Sequence, residues 1–582
     1  MNAVRRLLAA LQTPVWIARL VVLVGLATLG SALSPAIHAR LHLVYELVPR
    51  VFPAAATTGA AAIGVILCLL GFGLRRGKYR AWLLAVILTA TAAVLHVLKG
   101  LDVEEAVVCL LLTALLLSAR RHFTARPDPR SRARVLAIVV IGPFIATALG
   151  FCWLSVDRGG EAPGTTAWQR LVEAFVGLVG IPGPMRFTFP GEADHRAAAL
   201  VVLGAVLLGL AVLVALRPAG GPHRLEHDEQ DRLQALLAKW GWLDSLGYFA
   251  LRDDRSVIFE PAGRAAISYR VVGGVSLAGG DPIGEPAAWG DAIATWLEEA
   301  RSYGWTPAAL GSSERGATAF HRAGLECLEL GDEAIVRADE FTLEGRAMRG
   351  VRQAVNRCER AGITVSVSRM RDLPAEVVED ARAKADEWRD GQVERGFSMA
   401  LGRFGEPQDG DAVLVTASGP DGMVGLLHLV PWGPDGLSLD LMRRSRGSEN
   451  GVVETMVAAL MAASTDLGIT RVSLNFAVFR SVFARGERLG AGPVLRLWRA
   501  VLLWASRFWQ IESLYRANAK YQPEWVPRYL VFRTSADLPW VATAALRAEA
   551  FLVMPSFRRH AEATSAAAKA AAAERSAELT KR

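Results

Sequence analysis

Gly436-Leu-Ser-Leu-Asp-Leu-Met-Arg443 is followed by a polar loop, by Asn450-Gly451, and by a run ending at Asn475-Phe476. Leu437, Leu439 and Leu441 alternate with Ser438, Asp440 and Met442, the period of a half-buried strand. Asp440 is therefore a carboxylate on the polar face of an otherwise apolar strand. Arg443 follows three residues later, and a regular strand sends those two side chains to opposite faces. For both to serve one site, the strand must end or bulge near Met442. A helix near 451–467 and a strand at 471–476 complete a strand–loop–helix–strand unit, the grammar of an α/β domain.

Outward from this unit the composition is uneven. The first 217 of the 582 residues are mostly apolar runs, and the remainder has the make-up of a soluble globular protein. The formal charge of +8 favours RNA or an anionic lipid surface as partner without choosing between them. The five cysteines show no paired spacing, so neither a disulfide framework nor a zinc site is expected.

Apolar runs recur where a signal peptide would have one, so they read as membrane spans. Helices are expected at 15–33, 54–74, 81–98, 103–119, 135–154 and 197–216. Basic residues crowd the second-to-third link (Arg75, Arg76, Lys78, Arg80) and the fourth-to-fifth (Arg120, Arg121, Arg126, Arg130, Arg132, Arg134). By the positive-inside rule these loops, the N-terminus and everything after Leu216 are cytoplasmic, in a multi-pass protein of the cell membrane. Trp168, Leu171, Val172, Phe175, Leu178 and Val179 recur at helical spacing with Gln169, Arg170 and Glu173 on the other face. That stripe reads as a helix lying in the outer interface. His96, Lys99, Asp102, Glu104 and Glu105 gather charge at the outer end of two spans, as interfacial anchors or as a functional group.

Residues 217–227 form a Pro/Gly hinge. Beyond it, 248–251, 256–259, 265–272 and 274–278 read as strands and 287–303 as a helix. The pattern restarts around Gly331. Residues 341–361 read as a basic helix carrying Arg346, Arg349, Arg352, Arg357 and Arg360, and 375–388 as a second helix. Strands at 412–418, 425–430 and 437–442 precede the 451–467 helix. Two units of one kind are therefore expected, 228–335 and 336–535, followed by 536–582 with a low-complexity tail. A Trp- and Arg-rich helix at 494–513 suits a membrane surface or a packed core equally well.

No Gly-x-Ser-x-Gly elbow is present, and neither soluble cysteine lies in a nucleophile motif, so acyl-enzyme chemistry lacks support. No metal site is expected from the histidines. After the Asp440 strand, Arg444 and Gly447 match the start of the loop with which acetyltransferases of the GNAT fold wrap the pyrophosphate of coenzyme A. Glu449 puts a bulky anion at the last position of that loop, which suggests the fold without its usual cofactor.

Several stretches, in matching order, resemble the phosphatidylglycerol lysyltransferase family, membrane enzymes of the multiple-peptide-resistance type. They are Gly279-Gly-Asp-Pro-Ile-Gly284; Gly331-Asp-Glu-Ala-Ile through Asn356-Arg-Cys-Glu359-Arg-Ala-Gly362; Asp386-Glu-Trp through Glu394-Arg-Gly-Phe397-Ser; and Leu437 through Arg443 with Asn450-Gly451. Leu98 through Ala106 resembles the family as well. Glu512 through Tyr529 is most similar to the subgroup in which a lysyl-tRNA synthetase is fused behind the transferase.

The resemblance implies a helical membrane bundle of about six spans followed by a cytosolic α/β domain of two tandem GNAT-like units. It implies an aminoacyl-tRNA donor, a phosphatidylglycerol acceptor, no cofactor, no metal and no DNA partner, and leaves a homo-oligomer open. Asp440, Arg443 and Lys520 become the expected catalytic residues. Glu359, Asn356, Arg528, Asn475 and Glu387 become the expected substrate-binding residues. Arg443, Lys520 and Arg528 suit the lipid phosphate or the tRNA terminus. Two other readings remain: a Fem-type aminoacyltransferase with another acceptor, and a lipid-translocating or scaffold protein with an inactive transferase half.

Overall fold

A computed structural model of the protein describes residues 13–33, 51–100, 102–125, 129–157, 159, 161–188, 190–216, 225–389, 391, 396–478 and 516–552. The chain divides into two compact units, one containing residues 1–223 and the other most of the remainder.

In the first unit, helices occupy all six expected span positions: α1 (Pro14–Leu33), α2 (Val51–Arg75), α3 (Tyr79–Gly100), α4 (Val103–Ser118), α5 (Pro129–Val156) and, after the shorter α6 (Ala167–Gly177), α7 (Pro190–Ala215). Among the described residues, four helical stretches are long and apolar enough to cross a membrane: Pro14–Ser31, Tyr79–Val97, Ala133–Val156 and His195–Ala215. Glycines let α1 and α2 approach closely: a Cβ on Gly64 would stand 2.7 Å from the Gly25 carbonyl oxygen. The buried Lys78 ammonium donates to the Leu216 carbonyl just past α7, where a cation suits a helix C-terminus.

Helix α6 opens with a capping box in which Thr166 and Gln169 satisfy each other's backbone N–H. Its exposed face is the apolar one, with Trp168 and Phe175 both more than half exposed. Glu173, expected on the polar outer side, is instead buried with Ala174 and accepts the Met185 N–H. A buried carboxylate needs such a donor.

The second unit is built on a mixed sheet. Its strands are β1 (Ser256–Phe259), β2 (Ala265–Val272), β3 (Val275–Gly279), β4 (Ile283–Gly284), β5 (Thr306–Ser312), β6 (Glu326–Arg337), β7 (Thr364–Arg369), β8 (Val413–Gly419), β9 (Gly422–Trp432), β10 (Gly436–Arg444), β11 (Arg471–Val478) and β12 (Glu524–Phe532). They lie in the order β1-β2-β3-β5-β12-β6-β11-β10-β9-β8-β7, with β4 beside β2. The helices of the soluble segment are α8 (His227–Trp240), α9 (Trp289–Tyr303), α10 (Glu314–Arg322), α11 (Arg349–Arg360), α12 (Ala375–Arg389), α13 (Val452–Leu467) and α14 (Leu538–Ala548).

Leu437 and Leu439 of β10 join Val351 and Cys358 of α11 and Met456 and Leu460 of α13 in one core. Leu441 instead joins Ala381 and Ala385 of α12 on the other side of the sheet. The apolar alternation of β10 therefore breaks between Leu439 and Leu441.

Three expectations are corrected. Residues 248–251 are not a strand but part of a 3-10 turn, Gly247–Leu251, with Phe249, Ala250 and Leu251 buried. A short apolar run does not tell the two apart. The basic helix is only Arg349–Arg360; Gly345 takes φ +81°, and the Arg352 guanidinium reaches back to the Leu343 and Gly345 carbonyls. Gly331 does not open a strand, because it lies inside the twelve-residue strand β6, which begins at Glu326. The expected helix at 494–513, the hinge residues 217–224 and the low-complexity tail lie outside the described residues.

Candidate functional site

Strand β10 pairs antiparallel with β9 and parallel with β11. Leu439 stands opposite Leu429, but Leu441 stands opposite His428, so Asp440 is the extra residue of a bulge. Pairing then resumes with Arg443 opposite Leu426, on the face that carries His428. The bulge expected near Met442 thus falls at Asp440 itself, and it brings Asp440 and Arg443 to one face. On the other edge, parallel pairing runs from Gly436 opposite Arg471 to Ser438 opposite Ser473 and goes no further. The β11–β6 register slips just beyond, between Ser473 and Phe476. There Asn475 takes a left-handed φ of 71°, and its Nδ2 donates to the Leu439 carbonyl at 2.8 Å. Its Oδ1 is buried with no hydrogen-bond partner among the described residues. Strands β10 and β11 therefore part at Asp440, with one asparagine bridging the gap.

Both Asp440 oxygens are held. Oδ2 lies 2.7 Å from Nδ1 of His428, and Oδ1 accepts the Leu401 N–H at 2.6 Å. The Asp440 side chain is only 6% exposed and that of His428 1%, so the pair is shielded from bulk water. The His428 ring meets Phe404 edge-on at 4.9 Å, and its Nε2 is buried without a partner among the described residues. A carboxylate accepts only, so Nδ1 carries the proton that faces Asp440.

Leu401 belongs to an irregular loop held by three arginines. Arg252 donates to the Gly396 and Ala400 carbonyls, Arg255 to the Phe397 carbonyl, and Arg403 to Leu251 and Asp409. Arg255 is wholly buried, its guanidinium 4.3 Å from the Phe397 ring centroid. Burial first, then neighbouring Arg252, pull its pKa down to about 9, against the opposing pull of Asp254 and Glu549. Gly396 takes φ +109°, and a Cβ there would stand 2.7 Å from that of Ala400. Only glycine suits this turn.

Beside the gap lies a buried ion network. Arg528 donates to Glu333 from Nε at 2.9 Å and from Nη2 at 2.6 Å, and to Asp244 from Nη1 at 2.6 Å. Ser245 and Ser473 donate to Glu333, and Ser438 to the Ser245 carbonyl. Asp281 accepts from Ser313 and has its pKa pushed up to about 7, by burial and then by Asp244.

The expected site residues do not all converge. Asp440, Arg443 and Asn475 gather where β10 and β11 part. Arg528 is 3% exposed and already bonded to two carboxylates, so the strand geometry places it inside the sheet. Lys520 pairs with Glu454 at 2.7 Å, in the first turn of α13. Asn356 and Glu359 are exposed on α11, and Glu387 is in an exposed pair with Lys384 on α12. Sequence reading missed His428, hidden in an apolar run; it singled out Gly396-Phe397-Ser398 only as part of a family-like stretch and not the loop's partners, which lie some 150 residues away in either direction.

Apolar helices thus precede a mixed sheet that opens beside a buried carboxylate. Residues 234–532 match the model described as phosphatidylglycerol lysyltransferase, C-terminal, and residues 10–216 match the transmembrane region of lysyl-tRNA synthetase. The chain belongs to the phosphatidylglycerol lysyltransferase family, and with its apolar helices it is a membrane protein.

Among its relatives are proteins named lysylphosphatidylglycerol biosynthesis bifunctional protein LysX. That of Rhodococcus jostii (strain RHA1) is 44% identical over 537 residues, 91% of this chain and 48% of that protein. That of Mycobacterium avium (strain 104) is 46% identical over 508 residues, 85% of this chain and 43% of that protein. The chain spans about half the length of the curated relatives it matches. The solved structure of L-PGS from Bacillus licheniformis aligns at 25% identity and a TM-score of 0.48, covering 56% of this chain and 97% of that one.

Proposed function

We propose that this protein is a membrane-bound aminoacyltransferase that moves lysine from lysyl-tRNA to a headgroup hydroxyl of phosphatidylglycerol. The observation that carries the reading is the Asp440 carboxylate, oriented by two donors where β10 and β11 part. Family membership and the names of the LysX relatives support the donor and acceptor.

The reaction is a transesterification. A lipid hydroxyl oxygen attacks the ester carbonyl, the bond to the tRNA 3′ oxygen breaks, and the proton of the attacking hydroxyl ends on that leaving oxygen. Because the ester is already activated, the protein supplies mainly positioning and charge. Each Asp440 oxygen accepts one bond from the protein and keeps a further lone pair. That arrangement suits holding the ammonium of the aminoacyl group, with Arg443 on the same face for a phosphate of lipid or tRNA. Asn475, with an open buried acceptor, lies at the same gap. Lys520, Asn356 and Glu359, on the α11 and α13 side of the sheet, and Glu387, on the α12 side, are outer positions for the longer reach of the tRNA.

In this reading the apolar helices make six spans, with the N-terminus and the second unit in the cytoplasm. Residues 228–335 and 336–535 are two tandem GNAT-like units behind a 217–227 linker. Replacing a phosphatidylglycerol by its lysyl ester makes the surface less anionic and weakens attraction of cationic peptides. Mass spectrometry of lipids from bacteria with and without the gene tests the reading. Lysyl-phosphatidylglycerol that appears only with the protein supports it, and an unchanged lipid profile contradicts it.

A further inference from the structure

The loop at residues 396–401 has neither helix nor strand, yet Phe397, Ser398 and Leu401 are at most 1% exposed. Buried backbone needs partners, and here they come from distant side chains. Most of the loop's donors end on one residue. The Glu549 carboxylate accepts the Phe397 N–H at 2.7 Å on Oε2. Its Oε1 accepts the Ser398 N–H at 3.0 Å and the Ser398 hydroxyl at 2.6 Å. The Glu549 carbonyl also takes the Gly396 N–H at 3.4 Å. From the other side, Arg252 and Arg255 hold the Gly396, Phe397 and Ala400 carbonyls. The donor that follows directly, the Leu401 N–H, leaves the loop and ends on Asp440.

Glu549 sits at an unfavourable place for a carboxylate. It is the C-cap residue of α14, where the helix dipole disfavours negative charge. The helix is anchored through buried Leu538, Val541, Ala544 and Ala548, and the chain turns sharply at Ala550, φ +58°. What offsets the placement is the set of three side-chain-accepted bonds and the nearby Arg255 guanidinium, whose charge Glu549 favours.

We propose that Glu549 is a positioning residue for Asp440: through Phe397 and Ser398 it fixes the loop whose Leu401 amide aims the carboxylate. This rests on the proposed function for its catalytic consequence, but not for its geometry. The carboxylate touches no reacting atom; it acts by removing alternative positions of one backbone donor.

The test uses the full chain in detergent micelles with phosphatidylglycerol and lysyl-tRNA. Glu549→Ala should lower kcat about tenfold or more and raise KM for lysyl-tRNA while KM for phosphatidylglycerol stays within about twofold, because the carboxylate that holds the aminoacyl ammonium is misaimed. Glu549→Gln, which keeps one acceptor, should fall between. In an Asp440→Asn background Glu549→Ala should cost nothing further, since residues acting through one another are non-additive. Hydrogen exchange of peptides spanning 396–404 should be about tenfold faster or more in Glu549→Ala. Asp440→Ala should speed exchange at Leu401 while leaving Phe397 and Ser398 protected. Wild-type kcat in Glu549→Ala, losses that multiply with Asp440→Asn, or unchanged protection at Leu401 overturns the proposal. If Glu549→Ala does not fold, Glu549→Gln and Ser398→Ala are read by the same kinetics and exchange, with the same outcomes. If the wild type makes no aminoacyl lipid, the proposed function fails, and the exchange arm still decides the clamp.

Discussion

Asp440 and His428 meet at 2.7 Å at the point where the β9–β10 register slips by one residue. Without the slip, regular alternation would continue past Leu439 and the face shared by Asp440 and Arg443 would be lost. The bulge thus converts an ordinary amphipathic strand into a site. Asp440→Asn should lower transfer about a hundredfold, the order expected for losing one charge-assisted contact to a substrate group. Steady-state transfer assays check this, with thermal unfolding to show that the fold survives.

His428→Phe keeps a ring beside Phe404 but removes the Nδ1 donor. Transfer should fall about tenfold, the size of one hydrogen bond near 1.4 kcal/mol. The melting temperature should move little, because the orphaned Nε2 disappears with it. His428→Gln, which retains a donor, should recover part of the rate.

How much of this was legible in the sequence differs by element. The apolar helices were, because length and hydropathy set a span regardless of neighbours. The β10 strand was, through the alternation of Leu437 and Leu439. The position of the bulge was not: Leu439, Asp440 and Leu441 look regular, and the slip is set by what β9 presents. His428 gave no signal inside Leu426-Leu427-His428-Leu429. The loop of residues 396–401 depends on Arg252, Arg255 and Glu549, contacts across some 150 residues that no local pattern encodes. Arg528 was found for the wrong physical reason. Its motif is real, but Glu333 and Asp244 occupy it.

Arg528→Ala should therefore show as a folding defect rather than as a KM change. Removing one partner leaves Glu333 and Asp244 buried and uncompensated, a loss of about 3–5 kcal/mol. Thermal unfolding or yield of folded protein in detergent is the measurement. Lys520→Ala, at a half-exposed pair with Glu454, should cost at most about 1 kcal/mol. A loss of transfer there without loss of stability would place Lys520 on substrate.

Asp281 makes stability depend on pH. Burial and Asp244 raise its folded pKa to about 7, above the ordinary carboxylate value, so the native state holds a proton that the unfolded chain gives up. Stability should then fall as pH rises from about 4 to 7, by up to about 1.4 kcal/mol per unit from this group, and level off above 7. Asp281→Asn should flatten that slope. Melting temperatures of both proteins from about pH 4 to about pH 8, the window of the shift and the plateau above it, check it.

Asn475 holds a left-handed backbone where β11 leaves β10. Asn475→Gly should keep the backbone and lose only the bond to Leu439. Asn475→Ala should add a conformational cost of about 1–2 kcal/mol. Thermal unfolding should rank the glycine variant above the alanine variant, and both should transfer more slowly than wild type.

The central claim is tested most directly by one reconstituted reaction. The purified full chain is mixed with lysyl-tRNA labelled in the amino acid and with phosphatidylglycerol vesicles, and lipid-extractable label is followed over time. The account predicts label entering the lipid without added cofactor, with Asp440→Asn reducing the rate about a hundredfold. No labelled lipid from the wild type, or an equal rate from Asp440→Asn, would contradict it.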